Sequence, residues 1–456
     1  MHWNRSGAVR FIALCVSTVI WAGSAAAAEK SVAEEILDLL LDSGQISEKQ
    51  HEALSERARA EARRRASAST GALAATAADP EGYKVRWSNG LMIDRNDKQF
   101  RLKIGGRIQN DWAVFTNDGS IKNNFGNPDS GTELRRARIY FSGTLYDRVI
   151  FKAQYDFVGG DVDFNDVYIG LKGLPGLGTV KVGHFKEPFS LDNMTSSKYV
   201  TFMERSLPHV FIPGRNTGIQ VGGPVHDQRM TWHAGAFRQT DSFANAVGDD
   251  DAWDLTTRVT GLPLYEDGGR NLVHVGGSYS HQFRHNMPVR YKQRPAAHLA
   301  PFLWDTGAID GDDVDLMGLE FAWIHGPLSL QSEYMHAFVD VPGTTRDFWG
   351  VYAQASYFLT GENRKYNPAA GAFVRVTPRE NFNPAEGTWG AFEVGARYSR
   401  LDLEDSNLSG GRGDEVTVGL NWHLFPALRV STNWLWARRS NFGDLYGWET
   451  RFQLEF

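Results

Sequence analysis

Cysteine is all but missing from this sequence, and so are long apolar runs and any strong excess of one charge. The single cysteine, Cys15, sits in the N-terminal apolar stretch. The remainder therefore needs no disulfide and can form none in an oxidising compartment. Past that stretch no run approaches the roughly 18 apolar residues that a membrane helix requires. Lys and Arg number 48 against 54 Asp and Glu, a net charge of −6, so no global basic surface invites nucleic acid. GxSxG, HExxH and a glycine-rich phosphate loop ahead of a helix are absent. That removes the local signatures of common hydrolases, zinc proteases and nucleotide-binding proteins. His281 and His285 stand four apart, but at a strand end that spacing does not put them on one face. No metal and no other cofactor is expected.

What is present falls into regions of different composition. Residues 1–28 read as a signal peptide: Arg5 and Arg10 flank the start of an apolar segment, "FIALCVSTVIWA", and "GSAAAAEK" offers small residues for cleavage. Leu14 stands where a lipobox needs a small residue, so a lipoprotein is not expected. Residues 29–66 read as a short helical arm in the periplasm. Val32, Ile36, Leu39 and Leu40 recur at helical spacing, Gly44 interrupts them, and Ser47 with Gln50 forms a capping box for a second helix. Residues 67–82, small and low in complexity, read as a flexible linker.

From residue 83 to residue 456 helical periodicity gives way to alternation. "VIFKAQYDF" sets Val149, Phe151, Ala153, Tyr155 and Phe157 against Lys152, Gln154 and Asp156; "WETRFQLEF" sets Trp448, Phe452, Leu454 and Phe456 against Glu449, Arg451, Gln453 and Glu455. About sixteen such segments run from residue 100 to the end. Short turns such as "LYDR" and "HLFPAL" join one set of neighbours, and mostly longer polar loops join the other. An even strand count with short turns on one rim and long loops on the other predicts an all-β fold, a transmembrane antiparallel barrel. Residues 360–387 depart from this, being long yet on the short-turn side. A soluble β-sandwich also alternates. Two features weigh against it: the terminal aromatic Phe456, closing the last strand as barrels handled by the outer-membrane assembly machinery commonly do, and the aromatics at strand ends (Trp112, Tyr140, Tyr168, Trp323, Trp349, Trp389, Trp422). Such aromatics suit girdles at two membrane interfaces.

The barrel reading gives a place to "ELRRARIYFSG" (133–143), an odd strand for a soluble sheet. With Ala137, Ile139 and Phe141 facing lipid, Arg136 and Arg138 face the lumen. There they avoid the ~2–4 kcal/mol that an arginine costs on the lipid face at mid-membrane. The same parity adds Arg107, Lys103, Lys152, Lys172 and Lys181. A column of fixed cations selects anions by replacing part of their hydration shell. The plain alternative is bracing, since Asp111, Asp156 and Asp166 are available to pair with them. The connection 188–215 carries Lys198, Glu204, Arg205 and Arg215 among aromatic residues. Folded into the lumen, it would form the constriction.

The run "LRRARIYFSGTL…FKAQYDF…DVYIGLKGLPGLGTVKVGHFKEPFSLDNMTSSKYVTFMERSLPHVFIPGRNTGIQVGG" resembles the phosphate-selective porin O and P family. So do "YFLTGENRKYN…FVRVTPRENF" and the following "WGAFEVGARYSRLDL", and together the resemblance spans roughly 100–456. The arm, with "LLDSGQISEKQHEAL", resembles what often precedes such barrels. The resemblance implies a sixteen-stranded homotrimeric channel of the bacterial outer membrane, in contact with lipid and lipopolysaccharide. It also implies an in-folded third loop and lumenal Arg and Lys that conduct phosphate or polyphosphate. Acidic outer loops, "GDDDAWD" and "DGDDVD" (310–315), work against a multivalent anion at the mouth. The competing readings are a general or cation-preferring porin whose arginines are structural, and an outer-membrane enzyme or adhesin barrel.

Overall fold

A computed structural model describes residues 82–456 apart from 129, 247–251 and 285–286, and, nearer the N-terminus, residues 41, 47–57 and 60. The expected signal peptide, most of the arm and nearly all of the linker lie outside the described residues, as do His285 and the acidic residues 249–251. The chain divides into two compact units, 1–79 and 80–456. In the first, residues 48–57 are helical, and the Gln50 side chain accepts hydrogen bonds from the Ser47 amide and hydroxyl, both at 3.0 Å.

The second unit is all β. A hairpin, β1 (Tyr83–Trp87) and β2 (Leu91–Arg95), leads into β3 (Phe100–Asn117), β4 (Gly131–Leu145), β5 (Val149–Asp156), β6 (Asp163–Leu174), β7 (Gly178–Lys186), β8 (Arg215–Val225), β9 (Met230–Arg238), β10 (Trp253–Glu266) and β11 (Asn271–Phe283). After the small pair β12 (Lys292–Gln293) and β13 (Trp304–Asp305) come β14 (Asp313–His325), β15 (Leu328–Val341) and β16 (Thr344–Phe358). A second small pair, β17 (Lys365–Asn367) and β18 (Ala372–Val374), precedes β19 (Ala391–Asp405), β20 (Leu408–Phe425), β21 (Leu428–Arg439) and β22 (Gly443–Glu455). Leaving aside the hairpin and the two small pairs, sixteen strands pair antiparallel with their neighbours. The last closes on the first, Leu445–Glu455 of β22 running against Arg107–Asn117 of β3. Below that seam β22 has ended, and β2 takes the free edge of β3, pairing Leu91–Asp94 with Arg101–Ile104.

Alternation makes these strands, and its sense is inverted relative to a soluble sheet. On β22 the apolar Trp448 and Phe452 are 57% and 49% exposed, while Glu449 and Arg451 are 2% and 0% exposed. Sandwiches bury the apolar face; here that face looks outward, as in a barrel set in lipid.

The interior is not uniformly polar, which corrects the simple parity expectation. Toward the long-loop rim the inward residues of β14–β16, β19 and β21 are apolar, among them Val314, Leu316, Val339, Phe348, Leu401 and Leu435. They pack on Phe189, Leu207 and Phe211 of the third loop (187–214) and on Tyr291, Leu303 and Trp304 of the fifth (284–312). Toward the other rim the long connection 359–390 folds inward as well. Its Tyr366 and Phe373 are buried with Leu262, Leu272 and Ile324. It bonds across the lumen: His274 to Tyr366 at 2.7 Å, Arg258 to the Gly371 carbonyl at 2.9 Å, and Arg375 to Glu455 at 2.8 Å. Three inserted segments thus fill one side of the barrel and leave the β3–β8 side open.

Candidate functional site: a cationic compartment in the lumen

Each of the three inserted segments is held by a wall carboxylate: the third loop by Glu333, the fifth by Glu415 and the connection 359–390 by Glu455. A short helix, Leu191–Met194, opens the inward course of the third loop, and Glu333 on β15 accepts the Leu191 and Asp192 amides at 2.9 and 2.8 Å. Further along, Glu204 meets Arg135 at 2.9 Å, Arg451 at 2.7 Å and Arg136 at 3.7 Å. Burial alone would raise the Glu204 carboxyl, but Arg135, Arg136 and Arg451 hold it well below the usual carboxylate range. Arg451 in turn grips Asp111 through both oxygens, at 2.7 and 2.6 Å.

A β-bulge explains how three arginines of one strand all turn into the lumen. Gln109 pairs with Arg136 but Asn110 with Leu134, so Arg135 is the extra residue of β4. Without it Arg135 would face lipid; the bulge turns it inward to Glu204.

Between the third loop and the wall of β3–β8 lies a cavity of about 590 Å³. Its lining holds ten cationic side chains (Lys103, Arg107, Arg136, Arg138, Lys152, Lys181, Lys186, Lys198, Arg205, Arg215) and one carboxylate, Asp166. Some are neutralised: Arg138 by Asp156 at 2.6 Å, Lys152 and Arg215 by Asp166 at 2.5 and 2.8 Å, Lys198 by Glu455 at 2.9 Å. Among the described residues no carboxylate lies within ion-pair distance of Lys103, Arg107, Lys181 or Lys186. Arg107 donates to the Ser197 hydroxyl at 2.6 Å, Lys186 to the Asn193 carbonyl, and Lys181 sits 5.5 Å from the Tyr168 ring centre. Burial pulls the Lys198 ammonium down to about 8; Glu455 opposes this, while Arg107 and Arg375 reinforce it.

A second cavity of about 310 Å³ lies toward the long loops, lined by Arg135, Glu204, His209, Lys292, Arg294, His298 and Phe302. It shares Arg136 and Arg205 with the first, so these two residues stand at the passage between the compartments. Burial, then Arg205 and Lys186, keeps the His209 imidazole well below its usual value and hence uncharged.

Of the residues singled out from sequence, Arg136, Arg138, Arg107, Lys103, Lys152 and Lys181 converge on the larger cavity together with Lys198, Arg205 and Arg215. Lys172 does not. It stands near the short-turn rim at the end of β6, 41% exposed and paired with Asp147 at 3.0 Å, beyond the reach of the cavity. The third loop spans 187–214 and not 188–215: Arg215 opens β8. Tyr140 and Tyr168, strand-end aromatics that the same parity also turns into the lumen, line the cavity, whereas Trp112 and Trp389 are each 55% exposed on the outside. Sequence reasoning missed Arg135, Lys186, Arg294 and Arg375. Lys186 stands out of step with the inward Lys181 and Phe185 of β7, at the strand end where the chain turns into the third loop, and the others depend on a bulge or on in-folded loops, so alternation marks none of them. Phe456 extends β22 by exchanging backbone hydrogen bonds with Gly106, at 2.6 and 3.2 Å. A Cβ on Gly106 would fall 2.6 Å from the Phe456 ring, so the chain end needs glycine beneath it.

A closed sixteen-strand barrel with aromatics outward, charge inward and loops folded across its lumen is a bacterial outer-membrane porin, a channel and not an enzyme. The family model of the phosphate-selective porin O and P matches residues 102–456, and the chain belongs to that family. Porin O of Pseudomonas aeruginosa is 28% identical over 423 residues, 82% of this chain and 92% of that protein. An uncharacterized protein of Caulobacter vibrioides is 28% identical over 366 residues, covering 77% and 71% of the two chains. Among solved structures, the loop L8 deletion mutant of OmpT, an outer membrane protein of Vibrio cholerae, shares the fold with a TM-score of 0.50. That match is 12% identical over 78% of this chain and 99% of that one.

Proposed function

We propose that this porin passes small anions, phosphate or polyphosphate foremost, by diffusion from the outer compartment past Arg136 and Arg205 into the larger cationic cavity. The observation that carries the reading is the lining of that cavity, ten cations to one carboxylate, four of the cations without an acidic partner among the described residues. Fixed positive charge of this density replaces anion hydration, and several weak positions in sequence let the ion leave again. The bracing alternative has its own support in the pairs of Arg138, Lys152, Lys198 and Arg215. The two readings part at the unpaired residues. Reversal potentials in a planar bilayer under a salt gradient should have the anion-selective sign. Arg107→Gln with Lys181→Gln should weaken selectivity more than Arg136→Ala with Arg138→Ala, and added phosphate should block chloride current. A cation-selective sign in the unaltered protein would leave a general porin with structural arginines.

The same reading takes residues 1–28 as a cleaved signal peptide, 29–66 as a periplasmic arm joined by 67–82, and Phe456 as the signal for the assembly machinery. The working form is a homotrimer bathed in lipid and lipopolysaccharide.

A further inference from the structure

A row of four side chains crosses the seam where the barrel closes. By strand register Arg136 of β4 stands opposite Gln109 of β3, Gln109 opposite Gln453 of β22, and Gln453 opposite Arg429 of β21. All four are buried. Hydrogen bonds link them in sequence. Arg136 donates to Gln109 Oε1 at 2.9 Å, Gln109 Nε2 donates to Gln453 Oε1 at 2.6 Å, and Arg429 donates to that same oxygen at 3.3 Å. The two amide nitrogens also reach the third loop: Gln109 meets the Ser197 carbonyl at 3.4 Å and Gln453 the Lys198 carbonyl at 3.1 Å. A guanidinium offers donors only, so the arginine at each end fixes which way each amide is turned.

Elsewhere carboxylates brace the inserted segments, and the Lys198 side chain itself pairs with Glu455 at 2.9 Å. Next to Arg136 the wall offers the loop amides instead. What that preserves is charge. Arg135, Arg136 and Arg451 share two carboxylates, Glu204 and Asp111, so among these groups one positive charge is left over. Two residues away on the same face of β3, Arg107 is met by the neutral Ser197 hydroxyl. A carboxylate at position 109 would bind Arg136 more strongly than an amide does and would cancel the excess. It would also have no hydrogen to give the Ser197 carbonyl. We propose, on the reading of the lumen as an anion path, that Gln109 and Gln453 are specificity-determining positioning residues. They form a neutral clamp that pins the third loop to the seam and aims Arg136, while leaving the passage its positive charge.

The test is the reversal potential of the full protein in a planar bilayer under a salt gradient, for the unaltered chain, Gln109→Glu and Gln109→Met. Beside Arg136 the introduced carboxyl stays ionised, and Gln109→Glu should lower the anion-to-cation permeability ratio several-fold. Gln109→Met keeps the length and the neutrality but not the hydrogen bonds. It should retain most of the ratio, with a noisier open current and a lower urea midpoint of unfolding. Should Gln109→Glu fail to assemble, Gln453→Glu, which can still accept from Gln109 and Arg429, replaces it with the same expectation. An unchanged ratio in the assembled glutamate variant would overturn the proposal. So would an equal loss in the glutamate and methionine variants, which would leave the amides a structural role alone. The sign in the unaltered protein tests the anion path separately: were it cation-selective, that path would fall, while the shift between the glutamate variant and the unaltered chain would still decide the clamp.

Discussion

Glu204 shows how one acid can organise a cationic lumen. It sits where Arg135, Arg136 and Arg451 converge and carries negative charge because they outweigh its burial. Breaking a buried ion pair from one side leaves the partners uncompensated and costs about 3–5 kcal/mol. Glu204→Gln should therefore lower the urea midpoint of barrel unfolding and make the open current noisier as the third loop loosens. Lys198 gives a pH dependence. With its ammonium drawn down to about 8 by burial, the charge is complete at pH 6 and largely lost by pH 9. Anion selectivity should fall as pH rises through that range, and Lys198→Arg should hold it flat. The sequence placed Lys198 among candidate constriction residues. Its partner Glu455 lies 257 positions away in the chain, and only the closed barrel brings them together.

At the scale of elements, all sixteen barrel strands were legible because lipid outside and polar groups inside impose a period of two on almost every residue. What alternation cannot encode is where it slips. The single inserted Arg135 changes which face one arginine takes, and alternation does not say that Lys172 sits too near the short-turn rim to reach the cavity. Inserted segments are equally hidden, since buried loops lack a repeating pattern. The connection 359–390 spans the lumen between β10–β11 and β22 through Gly371, Tyr366 and Arg375. Replacing residues 362–388 by a short turn should raise single-channel conductance several-fold and weaken ion selectivity, because a wider water path lowers the access resistance and screens the wall charges.

For the whole molecule, net charge misleads. The chain carries −6 overall, yet its open compartment is strongly cationic, because acids on the filled side and at the surface offset cations concentrated on β3–β8. Selectivity is a local field, and salt should erode it. The Debye length is about 10 Å at 0.1 M and about 3 Å at 1 M. The reversal potential, compared at equal concentration ratios, should shrink toward zero across that range, while bracing alone would leave it small throughout.

The sequence by itself determined the class of fold, the strand count, the exterior and the parity that turns Arg136 and Arg138 inward, because each follows from a local two-residue period set against lipid. It also marked the third loop, whose aromatics needed an interior to enter. Only the tertiary structure decided which cations keep a free charge, where the two compartments meet and which side of the barrel stays open. Those properties depend on partners far apart in the chain, such as Arg451 with Glu204 and Arg375 with Glu455, whose meeting is fixed by closure of the barrel and the paths of three inserted segments.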